Sequence, residues 1–312
     1  MQCAAQKLRS PNCVLCFHDI AISSIPQISD ALLNQTSRTC DYTPGVVYMW
    51  RKYLQTKIAW YGDTLIMRNT TLDGSLTFSL PMGPDTDGAL DAISRYACAK
   101  GIPLLFDMMT AEQAQIVCEH FHTEFCEPAT KRDWADYLYN IDDLVYLKGK
   151  KFSGQRNHIN KFNKVYPDYT FKLIEPSDLP RIKGFMEAYT ASLENAPPLA
   201  LCENAMIWDV LANYESIEAI GGYVEIDGEI AAYAIGEVVG DTLYVHIEKA
   251  NRAYPGSYTM INRDFAAAVY ELHPEIKYVN REEDLGDMGL RTAKLSYHPA
   301  ALLEKYLVRV HL

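Results

Sequence analysis

The sequence predicts an α+β protein built as two similar halves joined by a basic helix, and three observations predict it. One order of elements (hairpin, strand, loop, helix, strand, helix, strand) can be read over residues 17–146 and again over 168–312. At 312 residues, 48% hydrophobic and 22% charged, the chain has the length and composition for about two globular domains of about 150 residues each. Between the halves lies LKGKKFSGQRNHINKFNKVY, residues 147–166, with six Lys/Arg, one His and no acid, whereas the rest of the chain carries 23 Lys/Arg against 40 Asp/Glu. From Ser153 a helix places Phe152, Ile159, Phe162 and Tyr166 on one face, Asn157, Lys161 and Lys164 opposite, and Arg156 on the flank. One face docks. The other is either a solvated surface or a cradle for an anionic substrate. The expected parts are a frayed terminus (1–16), an N-terminal domain (17–146), the linking helix (147–167) and a C-terminal domain (168–312).

In the first half, Ile25, Ile28, Leu32 and Leu33 have helical spacing, and Pro44-Gly45 marks a break before VVYMWRKYL. Alternation around Gly62-Asp63 reads as a hairpin, and Leu76, Phe78 and Leu80 as a third strand. Asp85 can cap a helix that ends at Gly101. A buried strand over 102–106, a helix over 110–121 and a strand within 134–139 complete this half. In the second half, residues 169–174 form a strand, and Ser177-Asp178 opens a helix carrying Ile182, Phe185, Met186 and Tyr189 on one face. Pro197-Pro198 breaks the chain before a short helix over 205–213. Asp227-Gly228 between apolar alternations is a strong hairpin signal, because this pair accepts the positive φ of a tight turn. A strand through Leu243, Val245 and Ile247 leads by the loop ANRAYPGS to a helix with Ile261, Phe265, Ala268, Val269 and Leu272 on one face. A strand over 276–279, a helix over 286–295 and a last strand, LEKYLVRV, follow.

A net charge of -11 argues against general affinity for DNA, which rests on clustered cations; only the basic helix leaves tRNA open as a partner. No run of about 18 apolar residues suggests a transmembrane segment, and the N-terminal stretch lacks the apolar core of a signal peptide, so a cytoplasmic location is expected. The eight cysteines lie mostly in apolar periodic segments, as reduced core thiols do. Cys13 and Cys16 form a lone CxxC, and Cys118, His122 and Cys126 lack a fourth ligand nearby, so no metal is expected.

The repeated order of elements resembles the core of GNAT-type acyltransferases, occurring twice. CDYTPGVVYMWR (40–51), LKGKKFSGQRNHINKF (147–162), YPGSYTMIN (254–262) and NREEDLGDMGLRTAKLSYHP (280–299) resemble more closely the family named after the C-terminal domain of phosphatidylglycerol lysyltransferases. That family has tandem GNAT-like halves and is similar to the Fem-type aminoacyl transferases. The sequence departs from the lysyltransferases in lacking their multi-span membrane portion, which puts a lipid acceptor in question.

The resemblance implies an acyl- or aminoacyltransferase that takes its group from acyl-CoA or aminoacyl-tRNA, with no tightly bound cofactor, and delivers it to an amine or hydroxyl. The alternative is a catalytically silent tandem-GNAT protein binding an anionic metabolite. GNAT-type enzymes hold the donor pyrophosphate on N–H groups of a loop before a helix. The corresponding loop here is Arg252-Ala253-Tyr254-Pro255-Gly256-Ser257; proline donates no N–H, but Arg252, Gly256, Ser257 and Tyr258 can still face an anion, or the segment is simply a helix-starting turn. The first half offers Asp85 and Asp87 at the matching place, which repels phosphate. By the resemblance to the Fem-type pattern Lys294 would stabilise the oxyanion. Glu248 is the candidate base and Tyr297 the candidate proton donor. Arg156, Lys161 and Lys164 are the candidate substrate-binding cations.

Overall fold

Local signals in the sequence account for most element ends. In this computed structural model, which describes residues 15–33, 36–71, 73–192 and 198–311, the chain divides into two units. One unit holds the chain up to Ala135 together with the segment from Leu303 onward; the other is Asp136–Leu302. The CxxC cysteine Cys13 and Pro197 lie outside the described residues.

The first unit opens with β1 (His18–Asp19), α1 (Ile25–Leu33) and α2 (Pro44–Trp50), where Pro44 at the first turn and the Thr43 hydroxyl start the helix. The hairpin β2 (Lys57–Tyr61) and β3 (Thr64–Thr70) turns on Gly62 at φ +60°, and β4 (Leu76–Phe78) adds to it. α3 (Thr86–Lys100) is capped by Asp85 accepting from the Gly88 N–H and ends at left-handed Gly101. β5 (Leu104–Met109), α4 (Ala111–His120) behind a Thr110/Gln113 capping box, and β6 (Cys126–Thr130) follow.

The second unit begins with β7 (Asp136–Asn140), α5 (Ile141–Tyr146), α6 (Ser153–Val165) and β8 (Thr170–Leu173), then α7 (Leu179–Ala191) and α8 (Pro198–Ala212). β9 (Ile220–Ile226) and β10 (Glu229–Val239) form the Asp-Gly hairpin, with Asp227 at φ +51° and Gly228 at φ +85°. β11 (Thr242–Ala250), α9 (Ser257–Leu272), β12 (Tyr278–Asn280), α10 (Met288–Leu295) and β13 (Ala301–Leu303) follow, and β14 (Tyr306–Val310) closes the chain.

Each sheet has seven strands, in the orders β1-β2-β3-β4-β5-β14-β6 and β13-β7-β12-β11-β10-β9-β8. The two units agree with the two halves read from the sequence, but the expected domain limits need correcting. β14, expected in the C-terminal domain, lies between β5 and β6 and is antiparallel to both, with Val308 and Val310 in the first unit's core. β7, expected in the N-terminal domain, pairs with β12 and buries Tyr137 and Tyr139 in the second unit's core. The expected linking helix α6 also lies within the second unit, with Phe152, Ile159 and Phe162 buried in the same core as α9. The physical reason is the same in all three cases: these segments bury their apolar side chains in those cores, and local periodicity does not say which core.

Candidate active site

β11 and β12 run parallel and pair only at Thr242↔Tyr278, Leu243↔Val279 and Tyr244↔Asn280. β11 continues to Ala250, so its second half stands beyond that pairing and the two strands part. A β-bulge lies at the parting. On β10, Ile235 pairs with Ile247 and the next residue, Gly236, with Val245, which makes His246 the extra residue. Unbroken alternation would set Glu248 on the face opposite Val245. The extra residue returns it to the face of Val245 and Ala250, which packs on α9. A Cβ on Gly236 would lie 2.0 Å from the Tyr244 carbonyl oxygen, so the bulge requires glycine there.

His246 is pinned from both sides. Its Nε2 is 2.8 Å from Glu237 Oε1 and its Nδ1 2.8 Å from Glu282 Oε1, and all three side chains are largely buried. Burial alone would lower the imidazole pKa, but the two carboxylates outweigh it and raise it to about 10. Glu282 is itself held at φ +58°, a left-handed conformation that a non-glycine residue adopts only under constraint.

Where the strands part, Arg281 Nη2 donates to both Glu248 oxygens, at 3.0 and 3.1 Å. The guanidinium stands 5.9 Å from the ring centre of Tyr139 and 5.3 Å from that of Tyr297. Asn262 of α9 completes the enclosure; with its amide oxygen turned to the guanidinium it accepts from Nε at 3.0 Å and Nη1 at 3.1 Å. Burial would lower the Arg281 pKa, yet Glu248, then Tyr139 and Tyr297, raise it. The Tyr297 phenol is raised by burial, with Arg281 and a Thr259 hydrogen bond pulling the other way, so it stays protonated at neutral pH.

The turn after β12 is a frame for Arg281. Asp284 accepts from Arg291 Nη2 at 2.7 Å and Nε at 2.9 Å, from the Tyr137 hydroxyl at 2.5 Å and from the Gly286 N–H at 2.9 Å. Burial alone would raise its pKa; these donors hold the carboxyl well below the usual range. Asn280 donates to Asp136 and accepts from the Glu282 N–H.

A family model described as phosphatidylglycerol lysyltransferase, C-terminal, matches residues 34–309. The chain belongs to that family. A solved protein of Bacteroides thetaiotaomicron, described as conserved and of unknown function, is 30% identical, with a TM-score of 0.85 over 95% of this chain and 100% of that one. The C-terminal domain of a putative lysylphosphatidylglycerol synthetase of Agrobacterium fabrum is 15% identical at TM-score 0.64, covering 93% and 92% of the two chains. FemX is 10% identical at TM-score 0.60, covering 95% and 97%. These last two show the fold. An uncharacterised protein of Mycoplasmoides gallisepticum is 25% identical over 178 residues, 56% of each chain, so the match spans about half of that relative.

Within this family member, the expected site residues divide. Glu248 and Tyr297 come together around Arg281, a residue of the NREEDLG segment that is not among the expected site residues. Its signal was there: an arginine directly after a buried strand and beside a carboxylate-rich turn. Lys294 corrects the expectation of an oxyanion-binding lysine. Its ammonium donates to the carbonyls of Glu283 (2.5 Å), Arg281 (2.6 Å) and Glu282 (3.2 Å), so its three N–H donors are spent on the turn.

Arg156 is likewise committed, with Nη1 on the carbonyls of Leu147 (2.5 Å) and Gly149 (2.6 Å), whereas Lys161 and Lys164 are exposed. In the loop, Arg252 is exposed, but the N–H groups of Ala253 and Tyr254 go to Asn251 and that of Ser257 to Tyr254. Gly256, at φ +98°, is an α9 start seated on Phe162. The Ser257 N–H therefore does not face an anion as expected. Among the described residues no helix is long and apolar enough to cross a membrane.

Proposed function

We propose that this chain transfers an acyl or aminoacyl group from acyl-CoA or aminoacyl-tRNA to an amine or hydroxyl, at the point where β11 and β12 part. The observation that carries the reading is the enclosed Glu248–Arg281 pair with Tyr297 at that opening, supported by membership of a family named for a lysyltransferase. In this reading the acceptor nitrogen or oxygen attacks the donor carbonyl carbon and its proton passes to Glu248. Arg281 faces the oxygen that gains charge, and the protonated Tyr297 phenol gives its proton to the departing ribose oxygen or thiolate. The bond to the leaving group breaks; Glu248 then gives its proton to solvent, and solvent returns the phenol proton to Tyr297. Lys161 and Lys164 supply the charge that draws a tRNA or another anion.

The second reading, a catalytically silent binding protein, is favoured by one observation: the loop spends the N–H groups of Ala253, Tyr254 and Ser257 internally, leaving a poor pyrophosphate cradle. Incubation with a panel of acyl-CoAs and charged tRNAs, with mass spectrometry of an amine acceptor pool, separates the two. A transferase gives a product that Glu248→Gln reduces about 100-fold or more. Saturable donor binding with no product in wild type supports the silent protein.

A further inference from the structure

The other face of the same strand end, opposite the face of Glu248, carries a second polar group of residues that the reaction centre does not use. On β10 and β11, Tyr233 lies directly opposite Lys249. Tyr233 is fully buried, and among the described residues its hydroxyl has no hydrogen-bond partner. A buried unpaired hydroxyl costs about 1–3 kcal/mol, so a group that persists in this state points to a partner that arrives from outside. Burial raises the Tyr233 pKa, and Glu203, Tyr189 and Tyr258 raise it further; the hydroxyl is therefore a donor and calls for an acceptor.

The surroundings define that acceptor. Lys249, 9% exposed, reaches Glu203 of α8 at 2.7 Å and lies 5.7 Å from the Tyr189 ring centre. Phe185 and Tyr189 of α7 stack at 6.2 Å, and Phe185 meets Tyr233 edge-on at 5.4 Å. The arrangement is a hydroxyl donor on Tyr233, an ammonium on its direct cross-strand partner Lys249, apolar ring walls, and one carboxylate. Glu203, with 28% of its side chain accessible, and Tyr258 at the start of α9, 42% exposed over the whole residue, border solvent. The charges of Lys249 and Glu203 cancel, so a phosphate dianion would find no net positive charge to hold it. A monoanion with an amine beside it needs none.

We propose that Tyr233 and Lys249 form a subsite for the carboxylate of an amino acid, whose ammonium group pairs with Glu203. Glu248 and Lys249 point to opposite faces of β11, so the subsite lies apart from the Glu248 centre and does not rest on the transfer reading. It names a ligand class, an α-amino acid or the like end of a peptide, rather than a lipid.

The test is binding of L-alanine and L-lysine, against L-alanine amide, to the full-length protein without any donor, followed by calorimetry or ligand-observed NMR. Saturable binding of the amino acids, about tenfold or more weaker for the amide and for Tyr233→Phe and Lys249→Gln, is the expected result. Tyr233→Phe removes an unpaired hydroxyl, so its melting temperature should equal or exceed that of wild type. Absence of saturable binding in wild type, or equal binding by the amide or by Tyr233→Phe, overturns the subsite. Glu248→Gln separates this outcome from the fate of the transfer reaction, because it should abolish transfer and leave amino-acid binding intact.

Discussion

Lys294 is the residue at which a sequence pattern and a structural role come apart. The family resemblance gave it the developing oxyanion; the fold gives it three carbonyl oxygens of the turn that carries Arg281. Burial, and then the neighbouring Arg281 charge, lower its pKa, yet three accepting carbonyls keep the ammonium useful as a clamp. Lys294→Met should therefore cost stability, about 2–4 kcal/mol, by stranding those carbonyls. Urea unfolding measures it, and a fully stable but inactive variant would restore the catalytic role. Arg281 and Glu248 behave as a pair. Arg281→Met alone leaves a buried carboxylate and should cost about 3–5 kcal/mol, whereas Arg281→Met with Glu248→Leu should recover much of that loss. A double-mutant cycle on unfolding free energies reads the difference, and additive losses would mean that the two side chains do not act together.

The bulge on β11 is the element-scale device, since one extra residue decides which face carries Glu248. Its lock has a pH signature. The His246 pKa is raised from 6.5 to about 10, so the folded protein keeps a proton that the unfolded chain has lost between those values. The stabilisation is complete below about pH 6.5 and disappears as pH rises through about 10. Wild-type unfolding free energy should fall more steeply over that window than that of His246→Gln; parallel curves would remove the lock. Gly236→Ala should destabilise the protein severely, because the new methyl meets the Tyr244 carbonyl, which is backbone and cannot move aside.

Much at this scale was legible in the sequence because its causes are local: Asp85 and Gly101 at the ends of α3, Asp227-Gly228 between β9 and β10, and the buried face of α6. The bulge was not legible, since Leu243, Val245 and Ile247 alternate as cleanly with it as without it. β6 was missed for a related reason: four of its five residues are exposed, which leaves no apolar alternation to read.

For the whole molecule, the chain returns at its end to complete the first sheet. β14 pairs with β5 on one side and β6 on the other, and Lys305, 1% exposed, reaches Asp41 at 2.8 Å. No local pattern in residues 306–310 says which of two cores they join; that choice is made by long-range burial. Truncation after Leu302 should therefore strip hydrogen-exchange protection from β5 while β10 and β11 stay protected, and persistent protection of β5 would show that the first sheet stands without β14.

Whether Glu248, Arg281 and Tyr297 form a transfer centre is tested most directly by the leaving group. A departing ribose oxygen needs a proton far more than a departing thiolate does. The measurement is the single-turnover transfer rate of full-length Tyr297→Phe relative to wild type, with an aminoacyl ester and with the matching thioester. A transfer centre with Tyr297 as proton donor gives a loss of about 10²–10⁴ with the ester, a much smaller loss with the thioester, and an unchanged melting temperature. Equal losses with both donors, or no loss with the ester, would contradict it.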